Sequence, residues 1–168
     1  MSPESTILAA IGLPLLGGIF ILFFGRNPNQ REAASLITAA ALFALVASLA
    51  QTVLEGARPS ATLVTLVPGL SLSFTVEPLG LLFALIASGL WIVTTLYSIG
   101  YMRGNKEHHQ TRFYLFFAVA LSGAMGIAFA GNMLTLFVFY EILTLSTYPL
   151  VTHAGTDQAK AGGRTYLG

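Results

Sequence analysis

The stretch Asn132-Met-Leu-Thr-Leu-Phe-Val-Phe-Tyr-Glu-Ile-Leu-Thr-Leu-Ser-Thr-Tyr-Pro-Leu-Val151 decides the fold. A hydrocarbon core about 30 Å thick takes about 20 helical residues rising about 1.5 Å each, and Met133 to Val151 meets that length. Within it only Glu141 is charged. Apolar side chains occupy every side of this segment rather than one stripe, the pattern of a helix surrounded by lipid or protein on all faces. Four earlier blocks share the pattern: Ile7 to Phe24, Ala33 to Leu54, Leu79 to Gly100 and Phe113 to Ala130, none with an Asp, Glu, Lys or Arg.

Composition agrees. Of 168 residues, 55% are hydrophobic and 9% charged, against about a quarter charged in a soluble domain. The chain therefore reads as an all-α membrane protein of about five transmembrane helices. Its net charge of +1 supplies no field for nucleic acid. The absence of cysteine excludes disulfides, thiolate metal sites and cysteine nucleophiles. The start, Met-Ser-Pro-Glu-Ser-Thr6, lacks the basic residues of a secretory signal, so the first apolar block is expected to remain as a helix.

The connectors carry turn chemistry. Gly25-Arg-Asn-Pro-Asn29 and Arg103-Gly-Asn-Lys-Glu-His-His109 read as polar loops, and Gly131-Asn132 as a tight join. In the longest connector, Thr62 to Val67 and Leu70 to Val76 flank Pro68-Gly69, which predicts a small hairpin at the membrane surface. Short loops rich in Lys and Arg stay in the cytoplasm. With the N-terminus outside, Arg26, Arg31, Arg103, Lys106, Arg112, Lys160 and Arg164 fall inside and Arg58 alone outside. The hairpin is then periplasmic and the segment after the fifth helix cytoplasmic. Ser122, Gly126 and Ala130 recur every four positions, a stripe that lets another helix approach closely.

Glu141 is the candidate functional residue. A charge at the centre of a membrane helix costs about 2.5 to 3.5 kcal/mol on insertion scales, so such groups face a cavity or partner and serve a pathway. The carboxyl either takes up a proton or ionises beside a cation, and switching between those states is proton transfer. Helical spacing puts Phe137, Val138, Thr144, Leu145 and Tyr148 on the same side, with Thr144 and Tyr148 as supporting hydroxyl contacts. The plain alternative is a protonated Glu hydrogen-bonded between helices. Pro149 is expected to loosen the last turns. His153, about 18 Å along the axis from Glu141, reads as an interfacial residue or a proton relay, and His108 and His109 as solvated loop residues. No spacing of a metal, cofactor or nucleophile site is present.

The run Asn132 to Val151 resembles the fifth helix of the antiporter-like proton-channel subunits, the family of Mrp-type cation/proton antiporters and of the proton-pumping membrane subunits of respiratory complex I and related hydrogenases. Tyr97-Ser-Ile-Gly-Tyr-Met102 and the hairpin before the third helix are similar to the family's corresponding segments, with the D subunit of Mrp antiporters the nearest match. The resemblance implies the first part of a fold of about fourteen helices containing inverted repeats with broken helices. Residues 1–112 would hold the first three helices with the hairpin at about 62–76, and residues 113–168 the start of the first proton-channel repeat, ending inside helix six.

The same resemblance makes Glu141 the glutamate paired with a lysine on helix seven, and places Arg164, after Lys160, near a basic residue that opens helix six. Tyr140 and Pro149 depart from the family's usual pattern. The implied function is part of a monovalent cation/proton antiporter, Na+/H+ foremost, in a bacterial cytoplasmic membrane. Partners would be the bilayer, protons, Na+ and other membrane subunits, with no cofactor. The segment would not be an enzyme by itself; membership of a NADH:quinone oxidoreductase-type or hydrogenase-type proton pump, of a carbon-uptake assembly, or of a non-transporting scaffold are the competing readings.

Overall fold

The computed structural model describes residues 1–168 as six helices and one hairpin. The helices are α1 (Pro3–Phe23), α2 (Pro28–Leu54), α3 (Pro78–Gly104), α4 (Gln110–Ala128), α5 (Met133–Val151) and α6 (Asp157–Leu167), with β1 (Ser60–Val67) and β2 (Leu70–Thr75) between α2 and α3. Helices α1 to α5 are long and apolar enough to cross a membrane, and the chain is a multi-pass membrane protein.

Local chemistry sets the ends. Pro3, Pro28 and Pro78 open α1, α2 and α3, where a missing N–H costs nothing and the fixed φ already suits a helix. Helices α1 and α2 begin a turn or more before their apolar blocks, α4 begins three residues before, and α3 runs a turn past its block, because polar residues are free to continue a helix past the hydrocarbon. Thus α2 takes in Arg31 and Glu32, α3 runs on through Arg103, and α4 takes in Arg112. The sixth helix is short and polar, capped by Thr156, whose hydroxyl accepts from the Ala159 N–H.

The hairpin forms as expected: β1 pairs antiparallel with β2, and Gly69 at φ +85° supplies the left-handed residue that a Pro-Gly turn needs. Its inner strand does more than close on itself. Thr75 N–H donates to Phe129 O at 2.8 Å and Gly131 N–H to Ser73 O at 2.8 Å, so the α4–α5 join lies against β2 almost as a third strand. Ala130, expected inside the fourth helix, belongs to this link instead, where pairing with Phe74 competes with helical bonding.

Helix α1 packs on α2 and α4, α2 on α3, and α5 on α4. The core runs through Trp91, Phe74, Phe129, Leu42, Leu49 and Met125. The small-residue stripe works as packing. Ser122 Oγ donates to Ile11 O at 2.7 Å, and Gly126 meets the Phe139 ring so closely that a Cβ would overlap it.

Candidate functional site

Helix α5 is positioned from its first turn. The Asn132 side-chain oxygen caps the helix, accepting from Thr135 N–H at 2.8 Å, while its amide donates to Ser71 O at 2.7 Å. Thr135 Oγ1, fully buried, accepts from Ser73 N–H at 3.0 Å. The hairpin thus fixes both the height and the rotation of α5. Phe139 then turns inward against Gly126 and Phe74, with ring centroids of the two phenylalanines 5.5 Å apart.

With that rotation set, the opposite face points away from α1 to α4. Glu141 lies on it, exposed, flanked by exposed Phe137, Tyr140 and Leu145. The residue expected to be buried is at mid-helix as read, but its carboxylate is not covered by this chain. Its burial is a matter of what surrounds the helix, not of the helix itself. None of the three ion pairs includes it.

The two supporting hydroxyls share this face without touching Glu141. Thr144 Oγ1 donates to Tyr140 O at 3.0 Å, one turn back in its own helix, an arrangement open to any helical Thr. Tyr148 packs against Gly163 of α6, where a Cβ would stand 2.8 Å from the ring. Nearby, the Tyr166 hydroxyl meets Thr147 Oγ1 at 2.6 Å, so α6 covers the last turns of this face. Helix α5 continues through Pro149 to Val151. Lys160 lies 4.0 Å from Asp157 and is exposed, and Arg164 is exposed in the last turn of α6. Neither approaches Glu141 by hydrogen bond or ion pair.

His153 follows α5 in the connection to α6. Its ring meets Phe113 edge-on at 5.5 Å, its carbonyl accepts from Arg112 Nη2 at 3.1 Å, and both ring nitrogens are buried with no partner in the protein. Burial, then the Arg112 charge, holds its pKa below the usual 6.5. His108 and His109 are exposed, as their loop position implied.

A second polar group went unread in the sequence, where only Arg31 and Arg103 of its members figured, and only toward orientation. Arg31 and Glu32 are buried, 5% and 4% exposed. Arg31 donates to Gln110 Oε1 at 2.7 Å and Thr111 Oγ1 at 3.1 Å, and its guanidinium lies 5.4 Å from the centre of the Tyr114 ring. Glu32 accepts from Arg103 Nε at 3.0 Å and from Arg103 Nη2. The cluster ties the loop ends of α2, α3 and α4 together. The available signal was an Arg-Glu pair at the mouth of one apolar block facing Gln-Thr at the mouth of another.

Comparison with known proteins places this architecture. Residues 62–114, which hold most of the hairpin, α3 and the first turn of α4, match the model of the NADH-ubiquinone oxidoreductase (complex I) chain 5 N-terminus. The match ends before Glu141. The Na(+)/H(+) antiporter subunit A1 of Staphylococcus aureus strain bovine RF122 / ET3-1 is 30% identical over 95 residues, 56% of this chain and 12% of that protein. The subunit A1 of strain JH9 matches to the same extent. The present chain therefore spans about an eighth of these relatives. In fold, it superposes with a TM-score of 0.71 on a chain of the membrane-bound sulfane sulfur reductase, an archaeal respiratory membrane complex, at 22% identity over 85% of this chain and 22% of that one. In hairpin, helix order and sequence, this chain is similar to part of the antiporter-like, complex I-type membrane subunits.

Proposed function

We propose that this chain forms part of a proton-translocating membrane subunit in which Glu141 is the charge partner of a protonation site on a neighbouring helix. One observation carries the reading: a lone carboxylate halfway along an apolar membrane helix, on the face this chain leaves uncovered. A carboxylate there is stable only beside a cation or with a proton, so a facing basic group and Glu141 favour each other's charged forms. When the basic group gives up its proton, that attraction is lost and the pair titrates as a unit. Thr144 and Tyr148 supply hydroxyls along the same face. Lys160 and Arg164 act at the membrane boundary, facing the cytoplasm, with the hairpin on the opposite side.

Exchange of Na+ for protons is the first reading, supported by the antiporter subunits among the relatives. The relatives named above are A1 subunits, and the likeness to a D subunit rests on the run Asn132 to Val151 alone. Proton pumping driven by electron transfer is the second, supported by the complex I family match. Proton flux into vesicles holding the full-length complex tests both. Glu141→Gln is expected to abolish coupled flux, and unchanged coupling rejects the role of Glu141. Flux driven by a Na+ gradient alone selects the first reading, and flux that requires an electron donor selects the second.

A further inference from the structure

At the end of the bundle that carries the hairpin, α2 and α3 leave an apolar groove of about 240 Å³ between them. Ala50, Val53 and Leu54 of α2 line it opposite Leu81, Leu82 and Leu85 of α3. Val53 and Leu81 are buried, while Leu54 and Leu82 are exposed. From Pro78, at its outer end, to Leu85 the groove runs about 10 Å along α3, so its mean cross-section is about 24 Å², a channel about 5 Å wide. A helix, about 10–12 Å across with its side chains, does not enter such a channel. A single polymethylene chain does.

The outer end of the groove is charged. Glu55 follows Leu54, and Glu77 precedes Pro78. Arg58 reaches back to the groove wall, its Nη1 donating to Ala57 O at 2.9 Å and to Val53 O at 3.4 Å. These bonds fix the guanidinium while Nε and Nη2 keep no protein partner, and none of the three ion pairs includes Arg58. Val76 N–H donates to Pro59 O at 2.8 Å, which brings the chain just before Glu77 against the chain just after Arg58. Glu55 accepts from Gln51 Nε2 at 3.2 Å through one oxygen only, and Glu77, at the start of α3, makes no capping bond. All three charged groups are exposed. A simple anion would meet one cation and two carboxylates here. A headgroup that carries both signs meets each with its opposite.

We propose that the α2–α3 groove binds one phosphatidylethanolamine, with an acyl chain along Val53 and Leu81, the phosphate on Arg58 and the primary ammonium on Glu55 and Glu77. A guanidinium offers parallel N–H donors that match two phosphate oxygens. An ammonium brings three donors to the spare carboxylate oxygens. Phosphatidylcholine presents the same phosphate but no N–H, and phosphatidylglycerol presents no cation at all, so affinity falls in that order. The seated chain covers apolar surface of both helices and joins them beside the hairpin. The site is independent of the role of Glu141.

The test reconstitutes the full-length complex in phosphatidylcholine vesicles with a trace of phosphatidylethanolamine that bears a photoactivated diazirine midway along one acyl chain. Labelled residues are mapped by peptide mass spectrometry. Leu90 and Val93, exposed on α3 outside the groove, report ordinary contact with surrounding lipid. Label is expected in excess at Leu81, Leu82 or Leu85, and unlabelled phosphatidylethanolamine is expected to displace it on the order of tenfold better than phosphatidylglycerol, the worth of one charge-assisted hydrogen bond. Arg58→Gln, which removes the phosphate contact, and Ala50→Leu, which fills the channel, should each lower labelling in the groove on the order of tenfold and leave Leu90 and Val93 unchanged. Glu55→Gln/Glu77→Gln should erase the preference over phosphatidylcholine. Equal labelling inside and outside the groove, or equal displacement by all three lipids, means surrounding lipid only and overturns the site. A groove without label is covered by another helix or subunit, which overturns it as well. Should a variant fail to assemble, displacement from the wild-type complex decides.

Discussion

Replacing Arg103 with Met tests whether the polar cluster at the loop ends holds α2, α3 and α4 in register. Glu32 is 4% exposed, and Arg103 supplies its two charge-assisted hydrogen bonds. After Arg103→Met the carboxylate keeps only Arg31, 4.0 Å away and already engaged with Gln110 and Thr111. Stranding a buried charge costs about 3–5 kcal/mol. Half of the Arg103 side chain is in solvent, 48% exposed, so water reaches the vacated site and the cost to Glu32 falls below that range, to about 2–3 kcal/mol. Glu32→Gln in the same background removes the stranded charge and is expected to restore about half of that loss, about 1–1.5 kcal/mol, with a coupling at least that large. The assay is unfolding of the full-length subunit in detergent for all four members of the cycle. A loss under about 0.5 kcal/mol in Arg103→Met, or strictly additive effects, refutes a structural role for this pair.

Two further outcomes follow from the packing and from the His153 environment. Gly126→Ala pushes a methyl into the Phe139 ring, which is 7% exposed and packed against Phe74. The expected cost is about 1–3 kcal/mol, read as a lower unfolding midpoint, and a neutral effect would mean that α4 and α5 separate freely. The second concerns pH. His153 binds its proton less readily in the folded protein than at the ordinary 6.5, so the unfolded state holds more protons between those two values. Stability is full above 6.5 and falls as the pH drops below it. His153→Asn should flatten that dependence, and an unchanged slope in the unfolding midpoint below 6.5 assigns it to other groups.

Much of the fold is legible because its causes are local. The apolar blocks read their own length against the bilayer, and Pro68-Gly69 encodes its own turn. Helix ends were harder, since Arg31, Glu32, Arg103 and Arg112 belong to helices whose apolar parts stop short of them. The candidate site was legible in one coordinate only. Sequence gives the depth of Glu141 along α5, but the side it faces depends on Asn132 and Thr135 meeting Ser71 and Ser73, some sixty residues earlier.

The sequence by itself determined five membrane-length helices, a surface hairpin and a single mid-helix carboxylate, because hydrophobic length, turn residues and charge are properties of short segments. Tertiary structure alone decided that Glu141 looks outward, that Arg31 and Glu32 are buried, and that His153 joins His108 and His109 around one cavity. Those outcomes come from contacts such as Arg31 to Gln110, 79 residues apart. An apolar helix carries no stripe to announce its inner face, so only packing against its neighbours fixes the rotation of α5 and the direction of its one charge.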